Sequence, residues 1–374
     1  MDTLPPLIDQ HSHGAVHGEL GLGSFETHLA CALGARGPAP AGTTHFDTRT
    51  GLALRRWCPP LLGLEPHCPP VRYLARRREV GAFHAGRMLL RGAGIGTFLV
   101  ESGAPGELTS AAELAAAAAA PAHEIVRLEP LAEQVADTSG SVDAFLGYTA
   151  EALYSAAQHA TAFASGAAHC EGRAPAAGEV RRAADRWLRG RRPGQRLREP
   201  VLVRHLLWSA VAAGLPVQLH CPDPQPLAAF LRATTGLGAD LVLFPGPPYH
   251  RQAAQLAAVH AHVYADTGPY PEEALRQAPF GKLLFSSGAR GLPELYVTAA
   301  RLFTRAMARV VGEWTDEGLC AADDGRRIAE LVGSGTARRI YRLVADAPRA
   351  RPTDLRGPAQ TPETGPVPGT SAAD

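Results

Sequence analysis

Eight short apolar runs, most of them separated by a helical stretch, constrain this chain more than any other feature. They fall at Pro6–Asp9, Gly96–Glu101, Glu124–Leu128, Thr161–Ser165, Pro216–His220, Leu241–Phe244, His262–Asp266 and Lys282–Ser287. Runs that are apolar on both faces are what parallel strands need when helices cover them. Helical segments read between them at Val71–Arg91, Ser110–Ala119, Val142–His159, Pro200–Ala213, Pro224–Arg232, Arg251–Val259 and Glu272–Gln277; Ser110 and Glu113 carry the spacing of a capping box. Eight β/α steps over about 300 residues predict a TIM-type (β/α)8 barrel.

Three further helices, Leu292–Glu313, Ala321–Leu331 and Thr336–Val344, are expected to close the barrel on its outside. The stretch Gly14–Pro70 is too long and too rich in Pro and Gly for a simple connection, and reads as an inserted lid or subdomain at the barrel mouth. Residues 347–374 are Pro, Ala, Thr and Gly with almost nothing bulky, so they cannot offset their own ordering entropy and read as a disordered tail to a domain spanning 1–346. Two Cys-Pro-Pro repeats, Cys58–Pro60 and Cys68–Pro70, lack metal-site spacing and read as rigid turns.

Charge excludes several functions. Thirty-seven basic against 36 acidic residues give a formal charge of +1, leaving no broad field for nucleic acid or a membrane surface. Six cysteines without a C-x-x-C pair read as reduced thiols in a cytoplasm, and no apolar run approaches the ~20 residues of a membrane span. Oligomeric state depends on whether the final helices expose an apolar patch, which would favour a homodimer.

In such barrels the chemistry sits where strands end, and that filter singles out three histidines. His11 and His13 follow the first strand in Leu7-Ile-Asp-Gln-His-Ser-His, and period-two alternation aims both to one side. His220 closes the fifth run. Three neutral imidazoles on a rigid rim suit one divalent cation, Zn²⁺ by preference, with water in the open position. Asp266 ends the seventh run as a ligand, a base or a cap; His250 follows Pro247-Pro-Tyr near the mouth; Glu101 ends the second run, where it could hydrogen-bond a rim histidine.

Several segments together resemble the amidohydrolase superfamily, in particular the amidohydrolase-related barrels associated with glutamine-synthetase-like ligases. These are Leu7-Ile-Asp-Gln-His-Ser-His-Gly, Phe46-Asp with Arg55-Arg-Trp-Cys, Leu62-Gly-Leu-Glu-Pro-His, Gly281-Lys-Leu-Leu-Phe-Ser-Ser and Gly291-Leu-Pro-Glu-Leu-Tyr. The resemblance implies a distorted (β/α)8 barrel whose divalent metal activates water to hydrolyse an amide or related bond. It assigns His11, His13 and His220 as ligands. It also exposes departures: the sixth-strand histidine falls on Pro245, the eighth-strand aspartate falls on Gly288, and the fourth-strand region has no lysine, Lys282 being the only one in the chain. A carbamate-bridged binuclear centre is therefore not expected. Two functions stay open: a mononuclear metal enzyme of the amidohydrolase type acting on an amide or related small-molecule C–N bond, or with impaired or altered chemistry such as lyase or decarboxylase behaviour, with Asp266 or His250 moving the proton, and a catalytically degenerate barrel that binds a ligand or partner.

Overall fold

The computed structural model describes residues 5–343, apart from 36, 102–107, 168–169 and 193; the expected tail, 347–374, lies outside the described residues. Eight parallel strands run in sequence order: β1 (Leu7–Ser12), β2 (Ile95–Glu101), β3 (Ala122–Arg127), β4 (Ala162–Ser165), β5 (Val217–Cys221), β6 (Leu241–Pro245), β7 (Val263–Asp266) and β8 (Leu283–Leu284). The chain after β8 returns to β1 through Gln10 N to Phe285 O at 3.2 Å and Gly288 N to His11 O at 3.1 Å, nearly closing the barrel.

Two-residue alternation sorts the strand side chains. Ile8, Leu99, Ile125, Ala162, Val242, Tyr264 and Leu284 form an inner cluster, while Leu7, Phe98, Phe163, Val217, Leu219, Leu241 and Val263 join the helices outside. Both sets are buried, which is why the strands read as continuous apolar runs. Register shifts between Leu7 and Ile8 and between Asp9 and Ser12 let β1 carry its polar residues differently from its neighbours.

The helices depart from expectation in instructive ways. The predicted Val71–Arg91 helix is two, Pro70–Val80 and Ala82–Gly92, because Gly81 sits at φ 83°, a conformation that ends a helix and suits glycine. Four helices escaped the sequence reading: Leu22–Ala32, Arg49–Leu61, Leu128–Thr138 and Ala177–Gly190. The first two belong to the segment 14–70. Arg49–Leu61 packs on the long helix Pro293–Asp316, with Leu54 and Cys58 buried, so this part of the segment is anchored to a helix of the barrel. The first Cys-Pro-Pro is the last turn of Arg49–Leu61, and the second supplies the proline that opens Pro70–Val80. The Ser110–Glu113 capping box forms as predicted.

The end of the described chain differs most. Helix Thr336–Ile340 does not stay outside the barrel: Ala337, Ile340 and Tyr341 belong to the inner cluster, and Arg339 donates to Gly281 O, just before β8. These side chains are buried with the inward-facing residues of the strands, so they plug the barrel's N-terminal end. Among the described residues no helix is long and apolar enough to cross a membrane.

Candidate metal centre

The ends of β1, β2 and β5 converge. His11, Glu101 and His220 each place one ligand atom so that all three lie within 4.8 Å of one another. His13 reaches the same carboxylate, with Nδ1 3.8 Å from Glu101 Oε1, and His220 Nε2 lies 3.8 Å from Glu101 Oε2. These separations are too long for hydrogen bonds. They are within what a cation with ~2.1 Å bonds spans, up to about 4.2 Å between opposite donors. His13 Nδ1, His220 Nε2 and Glu101 Oε2 are buried without a hydrogen-bond partner. Buried polar atoms of this kind are rare unless something binds them, so the residues present fit a metal.

Electrostatics agree. Burial drives the pKa of all three imidazoles down, that of His13 to about 4 and that of His220 well below its ordinary value. All three are therefore neutral at pH 7, with lone pairs available to a cation. Burial pushes Glu101 the other way, but His11, His13 and the Arg127 guanidinium outweigh it and hold its pKa below the usual carboxylate value. Arg127, at the end of β3, donates to Glu101 Oε1 at 3.1 Å and approaches Glu129 at 3.6 Å. Glu129 is anchored in turn by Ser165 Oγ at 2.5 Å and Gly166 N at 2.9 Å.

Asp266 does not touch the imidazoles. Its carboxylate accepts from Gln10 Nε2 at 2.8 Å and Gly268 N at 2.9 Å, and from the Ser286 hydroxyl. No helix begins there, so it caps a turn and not a helix. Burial raises its pKa to about 6. His250 opens the helix His250–Val259, where burial lowers its pKa against the opposing effect of Glu273, and it is not among the residues whose ligand atoms cluster with His11 and His220. Pro245 pairs with Cys221 at the end of β6, while the preceding Phe244 packs on the rings, 4.7 Å from His220 and 5.0 Å from His11 between centroids. Gly288 sits at φ 58°, its N–H donating to His11 O, and a Cβ there would meet nothing within 4 Å.

Sequence reading missed Gln10, Arg127, Gln218, Phe244 and Tyr341. Gln218 was within reach: it lies two residues before His220 on the same strand, so alternation puts both on one face. Tyr341 carried no signal, since nothing local says that a helix end enters a barrel.

No family model matches the chain, and no curated protein matches its sequence. Solved structures do share its fold. A Lactobacillus casei protein described as a metal-dependent hydrolase is 20% identical, with a TM-score of 0.75 over 91% of this chain and 96% of its own. Uronate isomerase from Thermotoga maritima is 12% identical, with a TM-score of 0.61 over 90% and 94%. Glucuronate isomerase from Caulobacter crescentus is 14% identical, with a TM-score of 0.57 over 94% of both chains. The class defined by fold is therefore a (β/α)8 barrel with the architecture of these metal-dependent hydrolase-like and isomerase proteins.

Proposed function

We propose that this chain is a mononuclear metal-dependent hydrolase of the amidohydrolase type, acting on an amide or related C–N bond of a small-molecule substrate. The carrying observation is the set of buried, unpartnered donors around Glu101. The resemblance of the first-strand His11-Ser-His13 motif and the shared fold support it. His11, His220 and Glu101 would hold the ion, Zn²⁺ by preference, with His13 adjacent. Such an ion supplies Lewis acidity and lowers the pKa of a bound water toward ~7.

The remaining chemistry belongs to the chain. Arg127 holds Glu101 ionised and oriented. Asp266, with a pKa raised to about 6, has the basicity to accept a proton near neutral pH. Its bonds to Gln10 and Gly268 keep its carboxyl in one place as it does so. His250, facing Glu273, is not assigned that role. The six cysteines are all free thiols, which supports a cytoplasmic setting.

A degenerate, ligand-binding barrel is the second reading. It is favoured by Phe244, which lays an inert ring against His11 and His220, and by Gly288, which offers no carboxylate. Elemental analysis of protein purified without chelators separates the two. About one divalent ion per chain, lost in His11→Ala and His220→Ala, together with turnover of a C–N substrate panel that Asp266→Asn abolishes, supports the hydrolase. Consistent absence of metal overturns it.

A further inference from the structure

Beneath the mouth a layer of buried polar side chains links Asp266 to His11. Asp266 Oδ1 accepts from Gln10 Nε2 at 2.8 Å; Gln10 Oε1 accepts from the Tyr341 hydroxyl at 2.9 Å; that hydroxyl accepts from Gln218 Nε2 at 2.9 Å; Gln218 Oε1 meets His11 Nδ1 at 2.8 Å. A further bond runs from Gln218 Nε2 to Gln10 O at 2.8 Å. Gln10, Gln218, Tyr341 and His11 are all buried.

The donor inventory of these groups allows one direction only. A carboxylate accepts and does not donate, so Gln10 must turn its NH₂ toward Asp266 and its carbonyl toward Tyr341. The hydroxyl has one proton, which goes to that carbonyl, so it can only accept from Gln218. The Gln10 main-chain carbonyl takes the second Gln218 N–H and pins the amide the same way round. Gln218 therefore faces His11 with its carbonyl, and His11 must carry its proton on Nδ1.

We propose that Gln10, Tyr341 and Gln218 act as positioning residues through which Asp266 sets the His11 tautomer, so that His11 presents its Nε2 lone pair to the mouth. Three strands, β1, β5 and β7, and the C-terminal plug have to be in place together for this chain to exist. Tyr341 is thus the point at which the segment after β8 takes part in the site. The inference rests on the metal reading for its purpose but not for its geometry, and the test keeps them apart.

The test uses ¹⁵N-histidine-labelled, metal-free full-length protein, with the His11 signals assigned by comparison with His11→Gln. NMR should show His11 protonated on Nδ1. In Gln218→Leu it should shift to a mixture or to the Nε2–H form, and in Tyr341→Phe, where Gln10 O still holds the Gln218 amide, by less. Titration with Co²⁺ or Zn²⁺ against a competing chelator should show affinity falling about 10–100-fold in Gln218→Leu, the usual cost of losing a ligand's hydrogen-bond partner, and by less in Tyr341→Phe. Gln218→Glu keeps an acceptor toward His11 but can no longer donate to Gln10 O, so it should keep the Nδ1–H tautomer while lowering stability; a role in packing alone would not separate the two readouts. An Nε2–H tautomer in the wild type, or an unchanged tautomer in folded Gln218→Leu, overturns the proposal. Wild type that keeps the Nδ1–H form yet binds no divalent ion overturns the metal reading and upholds the chain.

Discussion

Two layers of the same barrel interior, three residues apart from Gln10 to His13 and two apart from Gln218 to His220, treat polar groups in opposite ways. In the lower layer Gln10, Gln218, Tyr341 and Asp266 are joined at 2.8–2.9 Å. In the upper layer the atoms His13 Nδ1, His220 Nε2 and Glu101 Oε2 are also buried but have no partner. An unmet buried polar atom costs about 1–3 kcal/mol, so the fold tolerates at the mouth what it avoids one layer below. Apart from Asp266, the satisfied groups there are scaffold, and unsatisfied ones mark where a ligand completes the structure.

The sharpest way to break this contrast is to remove an upper-layer ligand. His11→Ala or His220→Ala should abolish stoichiometric metal, read by elemental analysis, while circular dichroism stays that of a folded barrel; retained metal would place the centre elsewhere. Removing a lower-layer group should instead show as stability. Gln10→Leu leaves the buried Asp266 carboxylate short of one donor and should lower unfolding free energy by about 1–3 kcal/mol in urea titrations; no loss would mean the network is incidental.

Asp9 separates the layers by pH. Burial raises its pKa from 3.8 to about 7, although Ser287 N donates to it at 2.7 Å and Ser287 Oγ at 2.5 Å. The native state therefore holds this proton more tightly than the unfolded chain. Its contribution is fully present below pH 3.8 and is lost as pH rises through about 7. The three imidazoles titrate in the opposite sense, being depressed, so the wild-type curve mixes the two. The difference curve does not: Asp9→Asn should gain on wild type between pH 4 and 8 by up to about 2–4 kcal/mol. A flat difference would show that Asp9 ionises normally.

The smallest effects test the altered positions. Phe244→His puts an imidazole where a ring already contacts His11 and His220, and should tighten metal binding more than Pro245→His. Gly288→Asp meets no steric block, but its φ of 58° strains most L-residues by about 1 kcal/mol or more, with aspartate among those that tolerate it best. A modest rise in metal affinity is expected, and none at all would show that the chain after β8 does not reach the ion.

The strands, their order and the convergence of His11, His13 and His220 were legible because each depends on local pattern: alternation, run length and position at a strand end. Arg49–Leu61 was less legible, since its Pro59 and Pro60 read as turn residues although they sit in the final helical turn. Glu101 was visible as a strand-end carboxylate, but only the neighbouring strands show that it lies among the imidazoles as a donor beside them.

Sequence alone therefore determined the barrel and the presence of a histidine rim, because burial on both faces and chain direction at strand ends act over a few residues. The tertiary structure alone decided which donors are left unpaired, that Phe244 faces the rings, and that Tyr341 enters from the far end. Those outcomes depend on hydrogen-bond partners more than 100 residues apart, and no local rule reports whether a buried polar atom finds its partner across a closed sheet.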